Sequence, residues 1–485
     1  MCEICDQGLR WRSRIGRRAL FAAGAGMGAA GLLPRLADAQ PRGVSLGART
    51  LPSRDEFVIR AAHVLSVDPT IGNLPTGDIH VRNGQIVNVA ASIPAPGVPS
   101  IDATGMIAMP GMVETHWHMW GSVARNMAGE EEKTGYFPYS RVLGTQFTPE
   151  DNARGVRLAL AEALFGGITT VTNWSHNLLS PDYADAEIAA HLDFGGRARF
   201  MYGYSRNVKN NETLPLDDVA RVQKQYFSGG DGLLTLGIAS RGPEYNTIDI
   251  CKVEWDAARK MGLPITTHIS ISPDAQARFN GVKMLNDQGL LGPDVILVHA
   301  TNCTPENLEM LARTRTPVSL SPYTEMRTGF GMPPVQAMLG AGVPVALSVD
   351  TLLLSGNSDM FAILKAMQNL ADGSVRSEFG IKPARVLEMA TIDGARALGL
   401  ADQIGSLTPG KRADIILLRT DALNMAPYTE PVRMVVQSAQ PYNVDTVIVD
   451  GRVLKRDGRL TGIDVSQVIA NARDTITRVR AKIAG

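Results

Sequence analysis

Met109-Pro-Gly-Met-Val-Glu-Thr-His-Trp-His118 is an apolar run that ends in two imidazoles. Residues 112–115 read as a short buried strand, and His116 and His118 follow at its C-terminal end. Residues i and i+2 of an extended chain point to the same side, so both rings face one way. The same device recurs along the chain. His176 follows the run 168–174, His268 ends 264–267, His299 ends 295–298 and Asp350 ends 344–349. Strand-like runs begin near Met112, Ile168, Ala198, Leu233, Pro264, Val295, Pro317 and Pro344, with helix-like segments in the gaps. Thr148-Pro149-Glu150-Asp151 supplies an N-cap, a first-turn proline and first-turn acids before one of these helices, and Thr304-Pro305-Glu306 repeats the arrangement. Eight alternating units in this length predict an α/β fold, a (β/α)8 TIM barrel, whose catalytic groups gather where the strands end. A doubly wound open sheet would carry a glycine-rich phosphate turn after its first strand, and none appears.

On both sides of the barrel the pattern changes. Residues 57–64, 79–81 and 85–89 read as strands, with Asn83-Gly84 as a type I′ hairpin turn. Near the C-terminus 413–418, 432–438 and 446–449 read as strands, and Asp450-Gly451 turns the last into 452–454. The two ends are expected to pair into one small β-sandwich, since termini tend to lie close together. The predicted organisation is a leader over 1–39, the first part of the β-sandwich over 55–108, the barrel over 109–402, the second part of the β-sandwich over 403–460 and a C-terminal helix over 461–485.

Composition narrows the partners. The chain has 485 residues with 48 basic and 48 acidic side chains and 44% hydrophobic residues. This excludes a disordered chain, a collagen-like fibre and a disulfide scaffold. Zero net charge leaves no footprint for nucleic acid or an anionic membrane surface, so the expected partner is a small-molecule substrate.

Arg10, Arg12, Arg14, Arg17 and Arg18 precede an apolar, glycine-rich stretch over 19–33 and then Ala37-Asp38-Ala39. That is the order of an export leader with an A-x-A cleavage site. Arg17-Arg18 resembles a twin-arginine signal, which implies a periplasmic or secreted protein that crosses the membrane already folded. Fifteen apolar residues are too few for a comfortable membrane anchor. Cys2 and Cys5 fall inside the leader and read as incidental. Cys251 and Cys303 remain as two free thiols.

Each strand-end histidine alone carries little, because a hydrogen-bonded structural role is the commoner one. Together they form a set. His116, His118 and His268 with the carboxylate of Asp350 make a nitrogen and oxygen donor set suited to zinc, iron or manganese. His63, His80 and His191 lie outside the pattern and read as structural or solvated.

These residues also carry a family likeness. The stretch 109–118 resembles the first-strand signature of the amidohydrolase superfamily. Gly166-Gly-Ile-Thr-Thr-Val-Thr172, Val298-His299-Ala300, Ser321-Pro322 and Gly342-Val-Pro-Val-Ala-Leu-Ser-Val-Asp350 with Asp359-Met360-Phe361 resemble the branch that contains atrazine chlorohydrolase, guanine deaminase and cytosine deaminase. Gly405-Ser-Leu-Thr-Pro-Gly-Lys-Arg-Ala-Asp-Ile415 resembles that family's return into its β-sandwich. The resemblance implies one divalent metal ion, zinc foremost, on His116, His118, His268 and Asp350. It also implies Asp350 as proton shuttle, His299 beside the reacting oxygen, and a homo-oligomer. The end of the fourth strand, Ala239-Ser-Arg-Gly-Pro-Glu-Tyr245, lacks the lysine a two-metal site uses.

Deaminases of this branch carry a glutamate two or three residues after the fifth-strand histidine, where it protonates a ring nitrogen. Here the chain reads His268-Ile-Ser-Ile-Ser272, so the glutamate is missing. The expectation is therefore hydrolysis of a C–N bond in an amide, urea, carbamate or cyclic amide. A deaminase or dehalogenase using Glu325 as its acid is the alternative, with Glu244 a weaker substitute. A non-catalytic binding protein on the same scaffold is the third reading. Predicted substrate contacts are His176, Trp117, Trp120 and Tyr323, with Trp174 completing an aromatic wall.

Overall fold

The computed structural model describes residues 51–204, 208–209, 211–229 and 232–484. The proposed leader, with Cys2 and Cys5, lies outside the described residues. Cys251 and Cys303 are both unpaired.

The small sheet begins with β1 (Phe57–Leu65), β2 (Asn73–Arg82), β3 (Gln85–Ala90), β4 (Ser100–Asp102) and β5 (Met106–Pro110). Asn83 and Gly84 take φ of 51° and 80°, the two left-handed positions a type I′ turn requires, and β2 and β3 pair antiparallel across them. One residue after β5 the chain enters the barrel. Gly111 bridges β5 and β6 (Met112–Val113), and a Cβ there would lie 2.1 Å from the Thr169 hydroxyl, so no other residue fits this crossing.

The barrel continues through β7 (Ile168–Ser175), β8 (Arg197–Gly203), β9 (Leu234–Ala239), β10 (Ile265–Ile269), β11 (Val295–His299), β12 (Val318–Leu320) and β13 (Val345–Leu347). All eight strands are parallel and in sequence order. The helix Pro149–Phe165 starts on a Thr148 capping box and the helix Pro305–Thr314 on a Thr304 capping box, as the sequence signals predict. The ring closes at its C-terminal rim. Asp350 N donates to His116 O at 2.8 Å, His118 N donates to Asp350 O at 2.7 Å, and Trp117 and Asp350 form a parallel bridge. Closure of the barrel thus brings His116, His118 and Asp350 side by side.

The chain then returns to the small sheet as β14 (Ile415–Arg419), β15 (Val444–Val449), β16 (Arg452–Arg456) and β17 (Arg459–Leu460). The nine strands from both ends form one continuous sheet in the order β17-β16-β15-β14-β5-β1-β2-β3, with β4 beside β1. The Asp450-Gly451 turn packs on the Asn83-Gly84 turn, so that a Cβ on Gly451 would lie 2.6 Å from the Gly84 Cα. The last helix, Val465–Ala484, lies against the barrel helix Pro149–Phe165, where Thr475 donates to Asp151 at 3.0 Å.

One element differs from its reading. Residues 432–438 were expected as a strand, but Pro431–Gln437 is a helix. Pro431 occupies its first turn, where a fixed φ and a missing N–H cost nothing, and Met434, Val435 and Val436 are buried. The β-branched Val432, Val435 and Val436 suggested a strand, and packing on the helix Met360–Val375, including Gln437 to Gln368 at 2.8 Å, decides otherwise.

Barrel and sheet are locked by a buried ion pair. Arg197 on β8 grips Asp414 through two hydrogen bonds of 2.8 and 3.1 Å, with side-chain exposures of 4% and 2%. Asp414 also accepts from Asp450 N at 2.8 Å. Removing one partner strands a charge in the interior, so Arg197→Met is expected to lower unfolding stability by about 3–5 kcal/mol. Urea denaturation of variant and parent measures it, and a shift under 1 kcal/mol would show the pair to be idle.

Candidate active site

The ends of β6, β7, β9, β10, β11 and β13 meet in one cavity of about 450 Å³, whose wall includes His118, His176, Ala239, His268, His299 and Asp350. Both His116 Nε2 and His118 Nε2 lie 3.3 Å from Asp350 Oδ1. His268 stands with its ring centre 4.8 Å from that of His116 and 5.3 Å from that of His118. Two overlapping groups, His116 with His268 and His299, and His116 with His118 and Asp350, hold their donor atoms within 4.8 Å of one another.

This set fits a divalent transition metal by its own chemistry. Both ring nitrogens of His116 and Nδ1 of His118 are buried with no hydrogen-bond partner among the described residues. Buried polar atoms in a folded protein are normally satisfied, so such a concentration of orphaned imidazole nitrogens marks a site built for something else. Burial lowers the pKa of His116, His118 and His268, which keeps the rings neutral and able to ligate. Among the described residues no lysine lines the cavity, and the end of β9 contributes Ala239, Ser240 and Arg241.

Glu114 holds the site from beneath. Its carboxyl accepts from the backbone N–H of His116 at 2.7 Å, Thr172 at 3.1 Å and Val349 at 3.3 Å, stitching β6 to β7 and to the end of β13. Burial pushes its pKa up to about 8. The sequence reading passed over this residue, although it sits within the opening stretch.

His176 lies beside the donor cluster, its ring centre 4.5 Å from that of His118. Trp120 Nε1 donates to its Nδ1 at 3.3 Å, so the neutral ring carries its proton on Nε2. His299 has φ of 70° and is held by Glu325, whose Oε1 is 3.1 Å from Nδ1. The other nitrogen, Nε2, lies 3.8 Å from Asp350 Oδ2. Burial alone would lower the His299 pKa, but the hydrogen bond to Glu325 and the charges of Asp350 and Glu325 raise it.

Five expected residues are placed off the cavity wall. Glu325 is fully buried and does not line the cavity, because it turns back to accept from Ser321 N at 2.8 Å and to meet His299. In the helix Pro322–Arg327 it is Thr324, with Thr328 one turn on, that faces the cavity. Tyr323 lies off that face, 38% exposed, and donates to Ala362 O at 3.2 Å. Trp117, between two inward histidines, points outward by strand alternation into the helix layer. Trp120 is buried against Phe147 and reaches the site only through His176. Of the three tryptophans, Trp174 alone lines the cavity. Glu244 is likewise off the wall, accepting from Ser270 N at 2.7 Å. The wall position three residues after His268 is Ile271, an apolar side chain.

The placement of Glu325 makes it a positioning residue for His299. In Glu325→Gln, kcat is expected to fall about 10- to 100-fold with KM little changed. With Nδ1–H donated to the carboxylate, Nε2 carries a proton only in the imidazolium. Loss of the carboxylate lowers the His299 pKa, so the alkaline limb of the kcat profile moves to lower pH. An unmoved limb would remove this role.

The profile of the amidohydrolase family matches residues 107–454. The chain belongs to the amidohydrolase family. Proteins similar to this amidohydrolase include a 5-methylthioadenosine/S-adenosylhomocysteine deaminase of Moorella thermoacetica, 28% identical over 83% of this chain and 94% of that protein. A 5'-deoxyadenosine deaminase of Methanosarcina acetivorans is 27% identical over 88% and 99%. Among solved structures, a zinc-bound adenosine deaminase from Xanthomonas campestris superposes with a TM-score of 0.80 at 24% identity, over 89% of this chain and all of that one. Atrazine chlorohydrolase from Arthrobacter aurescens TC1, complexed with zinc, gives 0.79 at 22%, over 87% and all of that chain. At these identities the structures speak to the fold of the amidohydrolase, a parallel barrel with a mixed sheet from both chain ends.

Proposed function

We propose that this amidohydrolase cleaves a C–N bond of amide, urea, carbamate or cyclic amide type in a small molecule, using one divalent ion, zinc foremost, on His116, His118, His268 and Asp350. The observation that carries the reading is the cavity wall itself. Where a deaminase presents an acid to a ring nitrogen, Ile271 is apolar, and Asp350 is the only carboxylate lining the cavity among the described residues. Amide hydrolysis needs no protonated ring nitrogen.

The chemistry a divalent ion supplies in such a donor set is a water pKa lowered from 15.7 to about 7. Asp350 takes the proton of the attacking water and returns it to the leaving nitrogen, a shuttle worth typically 10²–10⁴-fold. His299 donates from Nε2 to the developing oxyanion, while Glu325 fixes its ring. His176 offers Nε2–H to the substrate, and Trp174 shields one side of the reacting centre from water.

A panel assay tests the assignment. Amides, ureas and carbamates are expected to be cleaved, with ammonia release from heterocyclic amines at least tenfold slower. The reverse order would favour the second reading, hydrolytic deamination, which draws support from the deaminases among its relatives. In that reading a group other than Glu325 must meet the ring.

The order of basic, apolar and A-x-A segments over residues 10–39 supports export to the periplasm through a twin-arginine signal. Replacing Arg17-Arg18 with a lysine pair is expected to empty the periplasmic extract of the protein. Unchanged export would remove that assignment.

A further inference from the structure

A second cavity, of about 410 Å³, opens at the other end of the barrel, where β8, β10 and β11 begin. No described residue lines both this cavity and the active-site cavity. Arg199, the third residue of β8, forms part of its wall. The neighbouring Phe200 turns outward, its ring centre 6.4 Å from that of His191 in the helix layer, so alternation sends Arg199 into the barrel. Arg199 is 7% exposed. Its Nε donates to Thr235 Oγ1 at 3.3 Å, and that hydroxyl donates in turn to Ala198 O at 3.4 Å. Among the described residues the two terminal nitrogens meet no acceptor, and no carboxylate pairs with the guanidinium.

A charge held in the interior destabilises the chain unless an opposite charge meets it. The other two charged residues of this wall are committed to each other. Arg259 donates to both oxygens of Asp294, at 2.8 and 3.3 Å, and also to Leu290 O at 3.1 Å. Arg199 is left over. Burial pulls its pKa down to about 10, so it is still a cation at pH 7. The remaining side chains of the wall are apolar, Leu263, Pro264, Pro293 and Leu398 among them. Backbone donors here are occupied as well, Leu263 N by Ala258 O at 2.8 Å and Gly399 N by Arg396 O at 3.0 Å. One uncommitted guanidinium fork in an apolar chamber matches one carboxylate, whose two oxygens accept parallel N–H bonds from Nη1 and Nη2. A phosphate dianion would bring a second negative charge with no second cation to meet it.

We propose that this cavity binds a small monocarboxylate with a short apolar body, its carboxylate seated on the Arg199 guanidinium and its body against Leu263, Pro264 and Leu398, at the end of the barrel remote from the metal donor set. No bond is made or broken there. The ligand neutralises Arg199, and because only the folded chain presents the site, occupancy raises the thermal midpoint.

Calorimetric titration of the zinc-loaded full chain with hexanoate, 1-hexanol and inorganic phosphate tests this. One equivalent of hexanoate per chain is expected to bind at least about tenfold more tightly than 1-hexanol, since hydrogen bonds to charged groups are the stronger ones. In Arg199→Met that equivalent is expected to be lost. Hexanoate taken up at the metal donor set would remain in the variant, so an undiminished count overturns the proposal. Phosphate that displaces the Arg199-dependent equivalent at a lower concentration than hexanoate itself needs to bind overturns it too. A second measurement uses the parent chain alone and does not depend on how the variant folds. 4-Bromobenzoate diffused into crystals of the zinc-loaded protein is expected to give a bromine anomalous signal between Arg199 and Leu398. A signal confined to the active-site cavity, or none, overturns the proposal.

Discussion

An Asp350→Asn variant is expected to fold as the parent does and to turn over substrate about 10³- to 10⁴-fold more slowly, the upper range for loss of a positioned proton shuttle. The two halves of that expectation come from different atoms of one residue. The backbone of Asp350 closes the barrel, donating to His116 O at 2.8 Å and accepting from His118 N at 2.7 Å, and asparagine keeps both bonds. Its φ of 65° is left-handed, a conformation that asparagine tolerates nearly as well as glycine does. The side chain is a different matter. The carboxylate sits 3.3 Å from His116 Nε2 and from His118 Nε2, and an amide offers neither the negative charge nor a second acceptor. Steady-state kinetics beside circular dichroism and a thermal melt check both halves. Substantial turnover in a folded Asp350→Asn protein would end the shuttle assignment. Asp350→Ala is the poorer test, because alanine pays for the left-handed backbone and confounds folding with chemistry.

The barrel and the donor set were legible because both are written in local patterns. Strand alternation sends His116 and His118 one way, and Thr148-Pro149 and Thr304-Pro305 mark two of the helix starts, so strands could be told from helices and the polar residues at the strand ends collected. The Asn83-Gly84 and Asp450-Gly451 turns were legible for the same reason, as left-handed positions few other residue pairs satisfy. What was misjudged depends on rotation about an axis. On the helix Pro322–Arg327 the sequence does not say which of Tyr323, Thr324 and Glu325 turns toward the cavity, and tertiary packing chose the threonine. Trp117 is the exception, since the alternation that aimed the histidines inward should have sent it out. Arg241 also lines the cavity from just beyond a strand end, as the histidines do. Arg141 lines it from a helix in a connecting segment, with no periodic signal to aim it. The helix Pro431–Gln437 was misread from its valines, whose preference for strands is weak beside the burial available on the barrel's outer layer.

Chelation is expected to take turnover to background, and one equivalent of zinc per chain to restore it, with iron or manganese restoring part. His116, His118 and His268 are held neutral by burial, with the His116 ring making no hydrogen bond among the described residues and the His118 ring none from Nδ1, an arrangement that destabilises the chain unless a ligand offsets it. A ligand that binds only the folded state adds about 4 kcal/mol at a thousandfold excess over its Kd, so loading should also raise the thermal midpoint by several degrees. The pH dependence separates this from a nonspecific salt effect. Since the folded imidazoles are already neutral near pH 7, loading there releases few protons, whereas below the lowered histidine pKa values protons compete for the same nitrogens and affinity falls. Titration by plasma mass spectrometry and calorimetry at two pH values reads both. An apo protein that keeps full activity, or that melts at the same temperature with and without zinc, would mean that the four residues meet for some other purpose. The orphaned nitrogens of His116 would then have no account.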